Sequence, residues 1–166
     1  MSTLLFDIEA DGINATKVHC IVTIDVETED VKTYGPSNIA DGLATLVSAD
    51  RLVGHNVIGY DIPTLDRLFH SSRLNKPVHD TWVMSQTLRY TRPHKHGLAG
   101  WGEYLGNKKI EYDDFSEFSQ EMLDYCIQDC KVNLMVYRKL LKEYSEIYKQ
   151  NPMIQRGLQV EQAIAK

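Results

Sequence analysis

The fold follows from one segment near the start of the sequence, Thr3-Leu4-Leu5-Phe6-Asp7-Ile8-Glu9-Ala10-Asp11-Gly12. Its first residues are apolar and its last three are typical of a turn, so we predict a buried strand over residues 3–9. Side chains alternate along a strand, which puts Asp7 and Glu9 on one face at the strand's end. Taken alone, such a pair is more typical of a solvated strand end, but two adjacent carboxylates also suit a cation.

The rest of the pattern predicts an α/β domain. β-Branched residues at 18–26 and 31–34 indicate two more strands, which form a meander with the first. Further strands are predicted at 51–54 and, more weakly, 77–80. Helices are predicted over residues 36–47 and 81–89, and another begins at Ile62. A short helix passes through Trp101 and stops at Gly106, and a long helix with one break covers residues 116–149. This order predicts a mixed β-sheet with helices on both faces.

Composition restricts the class of protein. The 166 residues include 18 Lys+Arg and 23 Asp+Glu, for a net charge of −5, with 43% hydrophobic residues. These values fit one globular domain and exclude a strongly basic nucleic-acid coat protein. The three cysteines lack a CxxC or Cys/His pattern, which argues against a disulfide framework and a zinc module and favours the cytoplasm. No apolar run approaches the ~18 residues of a membrane span.

Two later segments add polar candidates. Asp61 precedes Ile62-Pro63, so it is either the N-cap of a helix, a metal ligand, or both. Tyr125 and Asp129 are four residues apart on the long predicted helix, and therefore lie one turn apart on the same face. Each residue also has an ordinary structural interpretation: Tyr125 as a tyrosine of the core, and Asp129 as a solvated charge on the surface of the helix.

Together the candidates are four carboxylates and a tyrosine from a strand, a middle helix and a late helix. Hard oxygen ligands of this kind suit Mg²⁺ or Mn²⁺. The sequence resembles the DEDDy class of the DnaQ-like, ribonuclease H-like 3′–5′ exonucleases in three motifs, which are Phe6 to Glu9, Asn56 to Asp61 and Tyr125 to Asp129. The sister class has a histidine five residues before the last Asp. Here that position is Asp124, which favours the tyrosine class.

A nearer resemblance is to the N-terminal proofreading domain of the family A DNA polymerases of short-tailed phages. It rests on Lys17-Val18-His19-Cys20, Gly54-His55-Asn56, Asp80-Thr81, Met84-Ser85, Gly97-Leu98 through Trp101-Gly102, Leu105-Gly106, and Glu121-Met122 through Asp129. The segments 85–97 and 106–116 look shorter than in those polymerases, and no palm or fingers follow Lys166. We therefore expect an exonuclease domain at 1–150 and a C-terminal tail or linker at 151–166, directed toward a polymerase in cis or in trans.

The resemblance implies two-metal hydrolysis of phosphodiesters with two Mg²⁺ or Mn²⁺ ions. By this analogy Asp7 holds both ions, Glu9 and Asp129 complete the first, and Asp61 holds the second. Tyr125 orients the attacking water. Two divalent ions also change the net charge from −5 to about −1, which lets an acidic chain hold a polyanion.

Substrate contacts are harder to identify from the sequence. The candidates are Ala10, His55 and Asn56 beside the proposed metal site, and Arg92 and Lys95 in a basic loop that also holds Arg89, His94 and His96. Lys108-Lys109 are further candidates for phosphate contact. A solvated loop and a local turn role for Asn56 are equally good interpretations. Trp101, Cys126 and Cys130 are expected in the core, and Asp80 as a helix cap rather than a fifth ligand.

We therefore expect a metal-dependent 3′–5′ exonuclease that removes nucleoside 5′-monophosphates from the 3′ end of single-stranded DNA. Proofreading in phage DNA replication, in the host cytoplasm and without a membrane, is the expected setting. Two alternatives stay open. One is a DEDDy-type exoribonuclease, because no residue is seen to recognise the 2′-hydroxyl. The other is a module of this fold that is inactive without a partner polymerase.

Overall fold

A computed structural model describes residues 1–70 and 72–150 of the chain. They form a five-stranded sheet in the order β3-β2-β1-β4-β5. The strands are β1 Thr3–Ala10, β2 Val18–Asp25, β3 Val31–Tyr34, β4 Arg51–Gly54 and β5 Val78–Asp80. β1, β2 and β3 are antiparallel neighbours, whereas β4 is parallel to both β1 and β5. The predicted meander and mixed sheet are confirmed.

In the part of the chain that the structure describes, five α-helices surround the sheet, in addition to a 3₁₀ turn at Ser72–Leu74. They are α1 Ile39–Ser48, α2 Asp61–Phe69, α3 Thr81–Leu88, α4 Leu98–Leu105 and α5 Gln120–Gln150. α4 ends where the sequence predicts, because Gly106 takes the left-handed conformation (φ 74°) that glycine adopts without strain.

Alternation along β1 divides the interior into two cores, one on each face of the sheet. Leu5 packs with β2 and with side chains of α3, α4 and α5, including the fully buried Trp101. Phe6 and Ile8 point to the other face and pack with α1 and α2. The prediction of helices on both faces is confirmed, and so is the core position of Trp101.

The long helix departs from the prediction in two ways. α5 is one uninterrupted helix of 31 residues, and it begins at Gln120 rather than 116. The expected break is wrong because α5 contains no proline or glycine, and its buried stripe keeps contact with the sheet, α3 and α4. The later start has a local cause: the Ser119 hydroxyl accepts from the Met122 amide at 3.1 Å, which caps the first turn.

Asp80 joins two elements at the end of β5. Its carboxylate caps α3 by accepting from the amides of Trp82 at 3.0 Å and Val83 at 3.4 Å, which confirms the predicted cap. It also accepts from the amides of Asn56 at 2.9 Å and Ile58 at 3.1 Å. One buried side chain therefore fixes both the start of α3 and the turn after β4.

None of the helices within residues 1–70 and 72–150 is both long enough and apolar enough to cross a membrane. The expected tail at 151–166 lies outside the described residues.

Replacing Asp80 by Ala should lower the free energy of unfolding by about 3 kcal/mol, because four backbone amides lose a charged acceptor in a buried place. Thermal or urea unfolding in the presence of excess Mg²⁺ would measure the change. The exposed Asp113 supplies the control, since Asp113→Ala should stay within about 0.5 kcal/mol of the unmodified protein. Equal stability of the two variants would contradict the role given to Asp80.

Candidate active site

The carboxylates of β1 face α5. Asp7 and Glu9 alternate with Phe6 and Ile8, and so project toward the same side of the sheet as Leu5. The Cys126 thiol of α5 donates to Asp7 Oδ2 at 3.5 Å. A register shift between Glu9 and Ala10 then ends the regular pairing of β1 with β2. The strand therefore presents its two carboxylates where it leaves the sheet.

Asp61 reaches the same place from the start of α2. Its side chain is only 3% exposed, and Oδ1 accepts from the Ile8 amide at 3.2 Å. The residue at the N-cap position is Tyr60, and the Asp61 side chain makes no cap hydrogen bond, so the alternative of Asp61 as N-cap is wrong. The cause lies in the sheet: the paired residues of β1 and β4 end at Leu5, and beyond them the Ile8 amide bonds to Asp61 instead.

α5 supplies Tyr125 and Asp129, and a lysine from the preceding loop joins them. Lys109 Nζ lies 2.7 Å from Asp129 Oδ2 and donates to Tyr125 Oη at 3.1 Å. The same loop packs the rings of Tyr112 and Phe115 at 5.7 and 6.0 Å from the Tyr125 ring. Sequence reasoning offered Lys109 only as a phosphate contact. No sequence pattern indicates its ion pair with Asp129, because the loop has no regular period.

The five candidate catalytic residues line one cleft, together with His55, Asn56 and Lys109. His55 Nδ1 lies 2.9 Å from the Thr81 hydroxyl, which itself donates to Asn133 Oδ1 at 2.7 Å. The Thr81 proton is thus engaged, so His55 Nδ1–H is the donor and Nε2 is the acceptor of the ring. Nε2 is buried with no partner. Burial lowers the pKa of His55 to about 4, which keeps the ring neutral at pH 7.

Three predicted substrate contacts lie outside the lining of this cleft. Ala10 is buried at the end of β1, and Lys95 is exposed beside a separate depression next to Tyr104. The structure contradicts the prediction that Arg92 contacts the substrate. Its side chain is 4% exposed, its guanidinium pairs with Glu143 at 2.8 Å, and it lies over the Trp101 ring at 4.6 Å. Arg92 therefore holds the loop to α4 and α5 and is not free to bind phosphate.

Crowding of the carboxylates shifts their protonation. Burial is the main cause that raises the pKa of Asp7 to about 7, and the nearby Asp129 carboxylate adds to the shift. Burial and Asp7 raise the pKa of Glu9 to about 10, and burial raises the pKa of Asp61 well above its usual value. Burial alone would lower the pKa of Lys109, but the adjacent Asp129 outweighs it and raises that pKa. One ammonium thus offsets only part of the negative charge.

The donor set fits hard divalent cations. Four carboxylates converge, and Asp129 Oδ1 is buried with no hydrogen-bond partner. An orphaned buried oxygen is costly unless a cation or water completes it. Asp7, Glu9, Asp61 and Asp129 are the residues that would hold Mg²⁺ or Mn²⁺.

Without divalent metal, the protein should lose stability as the pH rises from about 7 to about 9. The folded state keeps a proton on Glu9 that the unfolded chain releases above about pH 4, and the raised pKa of Asp61 acts in the same direction, so deprotonation disfavours the fold. Burial lowers the pKa values of His55 and His79 to about 4, so these two residues make the fold more stable as the pH rises. That gain is complete near pH 6.5, the ordinary pKa of histidine, and therefore does not extend into the range from 7 to 9.

Melting temperatures with EDTA at the two pH values would measure this loss. The Glu9→Gln variant, which stays neutral throughout, should show a smaller loss, and Mg²⁺ should restore the unmodified protein at the higher pH. A metal-free protein that becomes more stable across this range would contradict the account.

Comparison with known proteins identifies phage polymerases as relatives. The chain is 30% identical to the DNA-directed DNA polymerase of Escherichia phage T7 over an alignment of 188 positions, which covers 84% of this chain and 27% of the polymerase. The polymerase of Enterobacteria phage T3 is 29% identical with the same coverage. The chain therefore spans about a quarter of the length of these relatives. No protein-family model matches it.

Solved structures agree in fold. The Escherichia coli structure of RNase D, described as an exoribonuclease involved in structured RNA processing, matches with a TM-score of 0.69 at 18% identity, over 98% of this chain and 44% of that one. Brucella melitensis NrnC bound to pGG matches with a TM-score of 0.70 at 18% identity, over 98% of this chain and 81% of that one. The chain is therefore a homologue of a part, about a quarter, of the T7 and T3 phage DNA polymerases, and it shares the fold of RNase D and NrnC.

Proposed function

We propose that the chain is a metal-dependent 3′–5′ exonuclease that hydrolyses phosphodiester bonds at the 3′ end of single-stranded DNA and releases nucleoside 5′-monophosphates. Proofreading during phage DNA replication is the proposed role. The observation that carries the proposal is the convergence of Asp7, Glu9, Asp61, Asp129 and Tyr125 in one cleft. Homology to two phage DNA polymerases over 84% of the chain favours DNA as the substrate.

The chemistry needs cations that this donor set fits. When bound, Mg²⁺ or Mn²⁺ would supply the positive charge that activates a water molecule and stabilises the leaving oxygen. Asp7, Glu9, Asp61 and Asp129 are the residues that would hold such ions. The structure of Brucella melitensis NrnC with bound Mg²⁺ supports a divalent ion in a protein of this fold.

Tyr125 is proposed to orient the attacking water. Its oxygen accepts from Lys109 at 3.1 Å, and its hydroxyl lies beside the Asp129 carboxylate in the lining of the cleft. Lys109 also holds Asp129 at 2.7 Å, so one ammonium sets the relative position of the two side chains. Lys109 is thus a positioning residue for Tyr125.

The terminal nucleotide is proposed to lie against His55 and Asn56. The unpartnered His55 Nε2 is an acceptor suited to a sugar hydroxyl. Asn56 is exposed in the cleft with a left-handed backbone (φ 58°), and its amide is fixed by Asp80. Lys95, which is exposed, remains a candidate for a phosphate further along the strand.

An exoribonuclease is the second candidate. The observation in its favour is the similarity over 98% of the chain to RNase D and to NrnC bound to pGG.

We also propose that residues 1–150 are the exonuclease domain, that 151–166 lead toward a polymerase, and that a polymerase in cis or in trans delivers the substrate. The size of the polymerase relatives, of which the chain spans 27%, supports this arrangement.

With Mg²⁺ or Mn²⁺, the protein should convert a 5′-labelled single-stranded DNA into a ladder of products one nucleotide apart. Displacing a catalytic group by about 1 Å can already lower the rate about 100-fold. Removing two metal-binding carboxylates in the Asp7→Ala/Glu9→Ala variant should therefore lower the rate by at least about 1,000-fold. The control is Glu27→Ala/Asp30→Ala, which removes the same charge from the exposed turn after β2. Faster loss of a matched RNA would favour the exoribonuclease, and no cleavage by folded protein in excess would favour a module that depends on a polymerase.

Lys109→Met should lower kcat by about tenfold, because the Tyr125 hydroxyl loses the donor that orients it. The Lys131→Met variant, which removes an exposed charge from α5, is the matched control. If Lys109 acts mainly through Tyr125, the same change made in a Tyr125→Phe background should have a clearly smaller effect, limited to the loss of the ion pair with Asp129. Independent, multiplying losses in the double variant would refute this coupling.

A further inference from the structure

A tryptophan is exposed at the end of the sheet where the cleft opens. Trp82 is 38% exposed and belongs to neither core. The other tryptophan, Trp101, is fully buried and donates its indole N–H to Ser85 Oγ at 3.0 Å. Among residues 1–70 and 72–150, by contrast, no side-chain hydrogen bond or aromatic ring contact involves the Trp82 indole. Packing of the two cores therefore does not account for this large apolar ring.

Asp80 places Trp82 beside the cleft. Asp80 Oδ1 accepts from the Asn56 amide at 2.9 Å and from the Trp82 amide at 3.0 Å. Because one oxygen holds both amides, the backbone at Trp82 adjoins the backbone at Asn56, which lines the cleft. The preceding residue makes a second link, since the Thr81 hydroxyl lies 2.9 Å from His55 Nδ1. Trp82 is therefore next to the two residues against which the terminal nucleotide is proposed to lie.

The direction of α3 turns the indole toward the same end of the sheet. Side chains of an α-helix lean toward its N-terminus, and Trp82 is the second residue of α3, directly after the Asp80 cap. The buried side of α3 is formed by other residues, which are Thr81, Met84, Ser85 and Leu88. The Trp82 ring is thus on the outer side of the helix, at its cleft end. A strand that leaves the cleft can pass over it.

Positive charge follows on the same side of α3. Arg89 is seven residues after Trp82, which is two turns further and about 10 Å along the helix axis. The Arg89 side chain is 57% exposed, and its Nε lies 3.9 Å from Glu143, a carboxylate that Arg92 already holds at 2.8 Å. The exposed Lys95 belongs to the loop that follows. An aromatic ring at the cleft followed by cations fits a single nucleic-acid strand better than an apolar protein segment.

We propose that Trp82 is a stacking platform for the base next to the 3′-terminal one, and that the strand then runs along α3 toward Arg89. This inference rests on the proposed function, which places the terminal nucleotide in the cleft. Every base has a π-face, so stacking on an indole holds a strand without regard to its sequence, as the removal of successive nucleotides requires. Because the platform lies outside the carboxylate cluster, it contributes to binding of the strand and not to the chemical step.

Tryptophan fluorescence tests the binding without cleavage. In the Asp7→Ala/Glu9→Ala background, a short oligothymidylate should quench the emission, because its base contacts Trp82 and not the buried Trp101. Trp82→Phe, which keeps a stacking ring, should bind a labelled oligothymidylate with similar affinity but without the quench. Trp82→Ala should bind it at least about fivefold more weakly. The matched control is Phe69→Ala, which removes a ring of the same exposure, 38%, from the far end of α2.

An abasic site identifies the stacked base. Removing the base next to the terminal nucleotide should weaken binding by the same factor as Trp82→Ala, and Trp82→Ala should then have little further effect. A quench that persists in Trp82→Phe, or equal affinity of Trp82→Ala and Phe69→Ala for the intact strand, would overturn the platform. An undiminished effect of Trp82→Ala on the abasic strand would overturn the assigned base.

Steady-state kinetics separates the platform from the exonuclease itself. With Mg²⁺ and the carboxylates intact, Trp82→Ala should raise KM for single-stranded DNA at least about fivefold and leave kcat unchanged, because stacking is equally strong before and during the reaction. Cleavage with an unaltered KM in Trp82→Ala would overturn the platform alone. Binding with the quench, but without any cleavage by the unmodified protein, would overturn the exonuclease proposal and leave the platform.

Discussion

The crowding of three buried carboxylates and the half-buried Asp7 in one cleft is the constraint on which the rest of the structure depends. A charged carboxylate is more stable in water than in a protein interior. Bringing four of them together therefore costs hydration energy and adds electrostatic repulsion; the four are Asp7, Glu9, Asp61 and Asp129. The fold offsets this cost only in part, through the Ile8 amide at Asp61 and the Lys109 ammonium at Asp129. Raised pKa values at Asp7 and Glu9 express the remainder, which is why the cleft favours added positive charge.

The sheet keeps these groups together because β1 lies at its centre. Antiparallel pairing with β2 extends along nearly all of β1, whereas parallel pairing with β4 involves only Thr3 to Leu5. The end of β1 is therefore held on one side and open on the other, where α2 delivers Asp61. On the face above, small thiols at Cys20, Cys126 and Cys130 fill the space between β2 and α5. Their size lets α5 bring Tyr125 and Asp129 close to Asp7.

Those parts of the site that lie on regular elements were predictable from the sequence. The period of a strand places Asp7 beside Glu9, and the period of a helix places Tyr125 beside Asp129, whatever the rest of the chain does. Sequence reasoning was less successful where a side chain finds its partner across the fold. Arg92 looked like a free loop cation because Glu143 and Trp101, which bury it, are supplied by other elements. The ion pair of Lys109 was missed for the same reason.

The loop between α4 and α5 therefore contributes more to the cleft than its irregular sequence suggests. The Phe115 carbonyl lies 2.9 Å from His19 Nε2 on β2, which ties the middle of the loop to the sheet. From that anchor the rings of Tyr112 and Phe115 contact Tyr125, and Lys109 reaches both Tyr125 and Asp129. α5 fixes where the Tyr125 backbone lies, but the loop fixes where its hydroxyl points. A change that loosens the loop from β2 would thus disturb the phenol and the ion pair of Asp129 with Lys109, while the backbone positions of the four carboxylates stay in place, since none of them belongs to the loop.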